Sequence, residues 1–144
     1  MILVAGTSGI VAAFDRNAPD GTDCRKLLQE AGTVILSPLV LAEVDHLARA
    51  RLGAEARATI LDLLLTQMRR MRFQVPDIGA ETLATALAVM SRYADLDLDL
   101  ADAVSIALAA DYRTDAVLTL DRRDFRALRP LTPHKAFRLL PDDL

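Results

Sequence analysis

Cysteine is nearly absent from this sequence, which holds only Cys24 among its 144 residues. One cysteine excludes an internal disulfide and a zinc site built from several cysteines. Histidine is almost as rare, and His46 and His134 lack the spacing of a zinc-binding pair. No run of about 18 residues is free of charge and apolar throughout, as a membrane helix requires. Met1 leads into an apolar run with no basic segment before it, which argues against a signal peptide, so we expect a cytoplasmic protein.

An excess of charge of one sign is lacking as well. The chain has 17 lysines and arginines against 20 aspartates and glutamates, for a formal net charge of −3. This balance gives no general electrostatic attraction for nucleic acid. Two local clusters of arginine depart from it, and they consist of Arg69, Arg70 and Arg72, and of Arg122, Arg123, Arg126 and Arg129. We expect the first cluster to be solvated surface, whereas the second adjoins Asp121 and is a candidate for function.

Linkers, internal repeats and low-complexity segments are missing, and we expect one domain over residues 1–144. Short apolar strands alternate with helical segments, which predicts an α/β fold with a mostly parallel sheet. Ligands of such sheets bind beyond the carboxyl ends of the strands, here residues 6–8 and Asp121. The predicted strands are Ile2–Ala5, Val34–Leu36, Phe73–Val75, Ala116–Thr119 and Ala136–Leu139.

The segments between these strands have helical periodicity, and residues 121–128 form a turn or short helix. We expect Thr7 or Ser8 to cap the first helix and Ser37 to cap the third. The predicted helices are Gly9–Phe14, Asp20–Ala31, Pro38–Arg51, Glu55–Arg72, Ala80–Tyr93 and Leu100–Tyr112. In the third helix the residues expected to face the core are Leu39, Ala42, Leu47 and Ala50.

Acidic residues in apolar surroundings are the strongest sign of chemistry. Asp99 and Asp102 lie three residues apart and share a helix face, where two carboxylates raise each other's pKa unless a cation lies between them. Glu43 stands in the apolar context PLVLAEV, and Asp121 directly follows a strand. Carboxylate oxygens are the ligands that Mg²⁺ and Mn²⁺ prefer, and such metals serve to hydrolyse phosphodiesters. Glu43, Asp102 and Asp121 are therefore candidates for one metal site.

Three other kinds of site are disfavoured. A calcium-binding loop opening at Asp95 would need glycine and glutamate where Leu100 and Ile106 stand. Ser8 lacks the G-x-S-x-G motif of a hydrolase nucleophile. Gly6, Gly9 and Ala12 resemble a dinucleotide-binding turn, but no acid follows the second strand to bind a ribose.

Three segments, in their order and spacing, resemble the PIN-domain family and its VapC-type ribonuclease toxins. They are ILVAGTSGIVAAFDR, SPLVLAEVDHLAR and LADAVSIALAADYRTDAVLTLDRRDFRAL. The resemblance implies a three-layer α/β/α sandwich around a parallel sheet and cleavage of RNA that depends on Mg²⁺ or Mn²⁺. It also implies a homodimer that is inhibited by a small cognate antitoxin of the VapB type.

The resemblance matches three of the family's four acids to Glu43, Asp102 and Asp121, and its supporting hydroxyl to Thr7 or Ser8. The fourth acid, an aspartate before Thr-Ser, is replaced by Gly6. Three explanations for this glycine compete. The aspartate was replaced deliberately so that a toxic protein could be produced, the chain is a natural degenerate copy, or Asp99 compensates for the missing acid. The chain is accordingly either an impaired metal-dependent endoribonuclease or an inactive binding module that keeps dimerisation and antitoxin binding. In the enzyme, Arg122 and Arg123 are candidates to steer RNA phosphate.

Overall fold

A single five-stranded sheet forms the centre of the computed structural model, which describes residues 1–144. The strands are β1 (Ile2–Ala5), β2 (Thr33–Ile35), β3 (Phe73–Gln74), β4 (Ala116–Leu118) and β5 (Arg138–Leu140). All four neighbouring pairs are parallel, in the order β3-β2-β1-β4-β5. The predicted parallel sheet is therefore confirmed, although β5 begins two residues later than the sequence suggests.

Seven helices connect and cover the strands. They are α1 (Thr7–Ala13), α2 (Gly21–Glu30), α3 (Pro38–Leu52), α4 (Ala54–Arg69), α5 (Ala80–Arg92), α6 (Leu100–Asp111) and α7 (Arg122–Ala127). The predicted cap of α3 is confirmed, since the Ser37 hydroxyl accepts a hydrogen bond from the Leu39 N–H at 3.2 Å. The predicted cap of α1 is wrong, because that helix begins at Thr7 and Gly6 takes the cap position with no side-chain bond. None of the helices combines the length and apolarity needed to cross a bilayer.

The sheet separates two hydrophobic cores, because successive side chains of a strand point to opposite faces. Leu3 and Ala5 of β1 pack with residues of α1 to α4, whereas Val4 packs with residues of α5 to α7. Helices thus cover both faces, and the three-layer α/β/α sandwich that the resemblance implies is confirmed. On the first face α1 lies very close to β4, since a Cβ at Gly9 would fall 2.5 Å from the Leu118 side chain.

Two helices bury faces that differ from the predicted ones. In α3 the buried side chains are Val40, Val44 and Ala48, while Ala42 and Ala50 are exposed. This stripe of spacing four turns the neighbouring Glu43 toward the carboxyl edge of the sheet. In α6 eight of the twelve residues are buried, including Ser105, which the sequence places on an outer side. The reason is that α6 packs between α5 and the sheet.

The strand order places a crevice between β1 and β4. From β1 the chain builds β2 and β3 on one side, then returns to add β4 and β5 on the other. The segments that follow β1 and β4 therefore diverge to opposite faces, which opens a crevice beyond their carboxyl ends. Residues 6–8 and Asp121 border this crevice, as the sequence predicts, and Thr119 borders it as well.

Candidate functional site

A cleft of about 190 Å³ lies at this carboxyl edge. Four acidic side chains line it, and they are Glu43 of α3, Asp99 and Asp102 at the start of α6, and Asp121 after β4. The structure therefore brings together the three predicted acids, and it adds Asp99. Hydroxyl groups of Thr7, Ser8, Ser105 and Thr119 complete most of the polar lining.

The Glu43 carboxylate is oriented by the first residue of α1. The Thr7 hydroxyl donates a hydrogen bond of 2.8 Å to Oε1 of Glu43. Because Gly6 is the only residue between β1 and α1, the Thr7 side chain begins at the very edge of the sheet. A hydrogen bond to one oxygen leaves the second carboxylate oxygen of Glu43 available to another partner.

Asp102 is the most strongly perturbed acid in the cleft. Its pKa is raised from 3.8 to about 7, chiefly by burial and then by the negative charges of Asp99, Asp121 and Glu43. Asp99 is the cap residue of α6, and its Oδ1 accepts a hydrogen bond from the Asp102 N–H at 2.8 Å. The predicted effect of Asp99 on the pKa of Asp102 is thus present. The cleft has a negative potential that a bound cation would relieve.

The turn that carries Asp121 is held by two hydroxyl groups. Ser8 Oγ accepts the Leu120 N–H at 2.9 Å, and Thr119 Oγ1 accepts the Asp121 N–H at 3.0 Å. The two hydroxyl oxygens lie 3.5 Å apart. Since both successive backbone donors are bonded, the direction in which the chain leaves β4 is fixed. The sequence does not distinguish the roles of Thr7 and Ser8. In the structure Thr7 bonds to Glu43, whereas Ser8 holds the turn that carries Asp121.

Gly6 stands where the resemblance expects an acidic side chain. Its N–H donates to the Leu118 carbonyl oxygen at 2.8 Å, so β1 and β4 remain paired up to this point. A Cβ on Gly6 would lie 2.7 Å from the same oxygen, closer than such atoms approach. Any side chain at position 6 therefore requires the backbone of β1 or β4 to shift. The φ of Gly6 is −92°, so this demand is one of space and not of backbone conformation.

The donor chemistry of the cleft suits a hard divalent cation. All four acidic side chains offer carboxylate oxygens, and no sulfur or imidazole lines the cleft. The arrangement is open, however, since no three acidic, histidine or cysteine side chains converge closely enough to hold one ion. The residues fit the metal by type, and their side chains must draw together to ligate it.

The arginines near the cleft differ from expectation. Arg122 Nη2 lies 3.3 Å from an oxygen of Asp20, and its Nε lies 3.2 Å from an oxygen of Asp142. Neither Arg122 nor the exposed Arg123 lines the cleft. Arg51 does line it, and sequence reasoning missed it. The spacing along α3 could have revealed it, because Glu43, Leu47 and Arg51 are successively four residues apart and therefore lie on one face of the helix.

Comparison with known proteins identifies the class. The sequence model of the PIN-domain family matches residues 4–129 of this chain. The chain therefore belongs to the PIN-domain family, as the sequence motifs predict. Within that family it is similar to Ribonuclease VapC26 of Mycobacterium tuberculosis (strain ATCC 25618 / H37Rv). The two sequences are 33% identical over 130 residues, which span 90% of this chain and 93% of the relative, so the chain is of the VapC type.

Solved structures agree with this fold. VapC20 of Mycobacterium tuberculosis, a toxin that cleaves the sarcin-ricin loop, superposes with a TM-score of 0.75 at 19% identity. That match covers 87% of this chain and 94% of VapC20. VapBC2 of Rickettsia felis, bound to a fragment of its promoter DNA, gives a TM-score of 0.69 at 20% identity. It covers 96% of this chain and 98% of the other, and at such identities the likeness shows the fold alone.

Proposed function

We propose that this chain is a metal-dependent endoribonuclease, the toxin of a toxin–antitoxin pair, with Glu43, Asp102 and Asp121 as its metal-binding and catalytic acids. The observation that carries the proposal is that these acids come from three separate elements and line one cleft of a VapC-type PIN fold. The ribonuclease name of the relative at 33% identity supports the reaction class.

Each acid has a distinct task in this proposal. A bound Mg²⁺ or Mn²⁺ would supply an activated water and neutralise charge on the phosphate under attack. Thr7 binds one oxygen of Glu43 and leaves the other available to the metal. Asp121 is held in place because its backbone N–H donates a hydrogen bond to the Thr119 hydroxyl. Asp102, whose pKa lies near 7, needs the cation to remain ionised at neutral pH.

The missing acid at Gly6 favours a second candidate function. With no side chain at position 6 and no three ligands converged, the chain has fewer anionic groups with which to hold a metal. Under this alternative it is an inactive binding module that keeps dimerisation and antitoxin binding. Gly6 is the residue that separates the two candidates, because Gly6→Asp should raise the metal affinity of an impaired nuclease and change nothing in a binding module. Asp99, which lines the same cleft, is the candidate acid to compensate for Gly6.

We extend the proposal to partners. A small antitoxin of the VapB type is expected, since a structural neighbour from Rickettsia felis is VapBC2. A homodimer is expected from the family resemblance alone. Light scattering of the purified chain, alone and after co-expression with the product of an adjacent small open reading frame, tests both partners. A monomer that retains no such product would remove this extension and leave the nuclease proposal intact.

RNA cleavage by the purified chain tests the function directly. Total RNA is incubated with the parent chain and with Asp102→Asn, purified in the same way, with Mn²⁺ or with chelator. We expect cleavage by the parent that disappears with chelator and in Asp102→Asn. If neither the parent nor Gly6→Asp cleaves RNA, the binding module is the correct description.

A further inference from the structure

The wall of the acidic cleft contains a single basic side chain. Fourteen residues line the cleft, and among them only Arg51 is an arginine or lysine, although the chain has 17 such residues. Arg51 stands in the last turn of α3, on the i+4 row that also carries Glu43 and Leu47. A phosphodiester that enters a cleft with four carboxylates is repelled unless a positive group also faces it.

Two other arginines near the site are already engaged, and a third, Arg123, is exposed and does not line the cleft. Arg122 is paired with Asp20 and Asp142, and Arg126 is paired with Asp142 at 2.9 Å and with Asp143. Arg51 takes part in none of the ion pairs of the structure. Its guanidinium can therefore accept a phosphate without first giving up a carboxylate partner.

Arg51 also stands where two hollows meet. A second hollow of about 370 Å³ runs along α1 and adjoins the acidic cleft. Three residues line both, and they are Ser8, Arg51 and Asp121. The second hollow is otherwise lined by small and apolar side chains, mostly of α1 and the segment after it, and by Asp15, and Arg51 is its only cation. A strand that leaves the acidic cleft by this route passes Arg51.

We infer that Arg51 binds a backbone phosphate of the RNA at the junction of the two hollows, next to the phosphate that is cleaved. This inference rests on the proposed function, since it assumes an RNA substrate. It assigns to Arg51 the role that the sequence suggests for Arg122 and Arg123. The guanidinium contacts substrate and takes no part in holding the metal or moving a proton.

Salt-dependent RNA binding tests the inference without requiring cleavage. A fluorescein-labelled single-stranded RNA of mixed sequence is titrated with the full chain in chelator, over a series of salt concentrations, and followed by anisotropy. Arg51→Gln is compared with Arg49→Gln, which removes an exposed charge from the same helix outside both hollows. Arg51→Lys keeps the charge and removes the planar fork.

We expect Arg51→Gln to reduce the slope of log K against log salt by about 0.7, the value of one single-strand phosphate contact. At about 0.1 M salt this corresponds to roughly fivefold weaker binding. Arg49→Gln should keep the parent slope, and Arg51→Lys should restore most of it. In cleavage assays Arg51→Gln should raise KM and leave kcat unchanged.

Equal slopes for Arg51→Gln and Arg49→Gln would overturn the inference and leave the nuclease proposal standing. A fall in kcat with unchanged KM in Arg51→Gln would also overturn it. A parent chain with no salt-dependent RNA binding would remove the inference together with the proposed function. Because both arginines are exposed, equal melting temperatures of the variants show that the fold is intact.

Discussion

Removing the charge of Asp102 should stabilise the protein at neutral pH. The pKa of Asp102 is about 7 in the folded chain against 3.8 for an unperturbed aspartate, because burial and three neighbouring acids oppose its ionisation. A shift of this size corresponds to about 4 kcal/mol, and solvent screening of a partly exposed group reduces it to about 2 kcal/mol. Asp102→Asn removes this penalty and keeps a donor for the Asp99 carboxylate. We therefore expect a rise in Tm of about 5 °C at pH 7.

The dependence on pH identifies the cause of this gain. Below pH 3.8 both the folded and the unfolded chain hold the proton on Asp102, so Asp102→Asn changes little. Between pH 3.8 and about 7 the unfolded chain ionises first, and the stability of the parent falls relative to the variant. Above pH 7 the difference is constant. Thermal melts followed by circular dichroism at pH 4 and pH 8 measure it.

A matched control is Asp97→Asn, which removes an exposed acid outside the cleft and should leave Tm nearly unchanged at both pH values. A Tm of Asp102→Asn below that of the parent at pH 8 would refute the reasoning. An equal gain at pH 4 and pH 8 would refute it as well, because the effect would then be independent of ionisation.

Two further predictions concern hydrogen bonds that hold the site and the fold. Thr119→Val should speed amide hydrogen exchange at Asp121 by about fivefold, because valine lacks the hydroxyl that accepts the Asp121 N–H. Thr119→Ser keeps this hydroxyl and should exchange at the parent rate. Equal rates in the two variants would contradict the assigned bond. Arg72→Met should lower the free energy of unfolding in urea by about 2 kcal/mol, because Arg72 donates to three carbonyl oxygens at the end of α2. The neighbouring Arg70→Met is its control, and an equal loss in both would contradict this role.

The sheet and the place of the site follow from local sequence. Short apolar runs such as Ile2–Ala5 are too short for helices, and their alternation with helical segments leaves few arrangements other than a parallel sheet. The same rule places Asp121 and the residues after β1 at one edge. Glu43 is recognisable because an acid among PLVLAEV is costly to bury without a partner.

Other features depend on contacts that are distant in sequence. The buried face of α3 is ambiguous, since apolar residues lie on most sides of that helix and only packing against the sheet selects Val40 and Val44. The space at Gly6 is limited by the Leu118 carbonyl, which lies more than 100 residues further along the chain. The engagement of Arg122 likewise depends on Asp20 and Asp142, which come from opposite parts of the chain.

Binding of Mn²⁺, measured by calorimetry, tests the central claim that the carboxylates of this cleft form a metal site. The account predicts weak binding by the parent chain and a loss of at least about tenfold in Asp102→Asn. Gly6→Asp adds a carboxylate but must displace backbone, so Gly6→Ala is its control for the steric effect alone. Tighter binding by Gly6→Asp than by Gly6→Ala is the result that we expect. Binding by the parent that Asp102→Asn leaves unchanged, or no binding by any of these chains, would contradict the account.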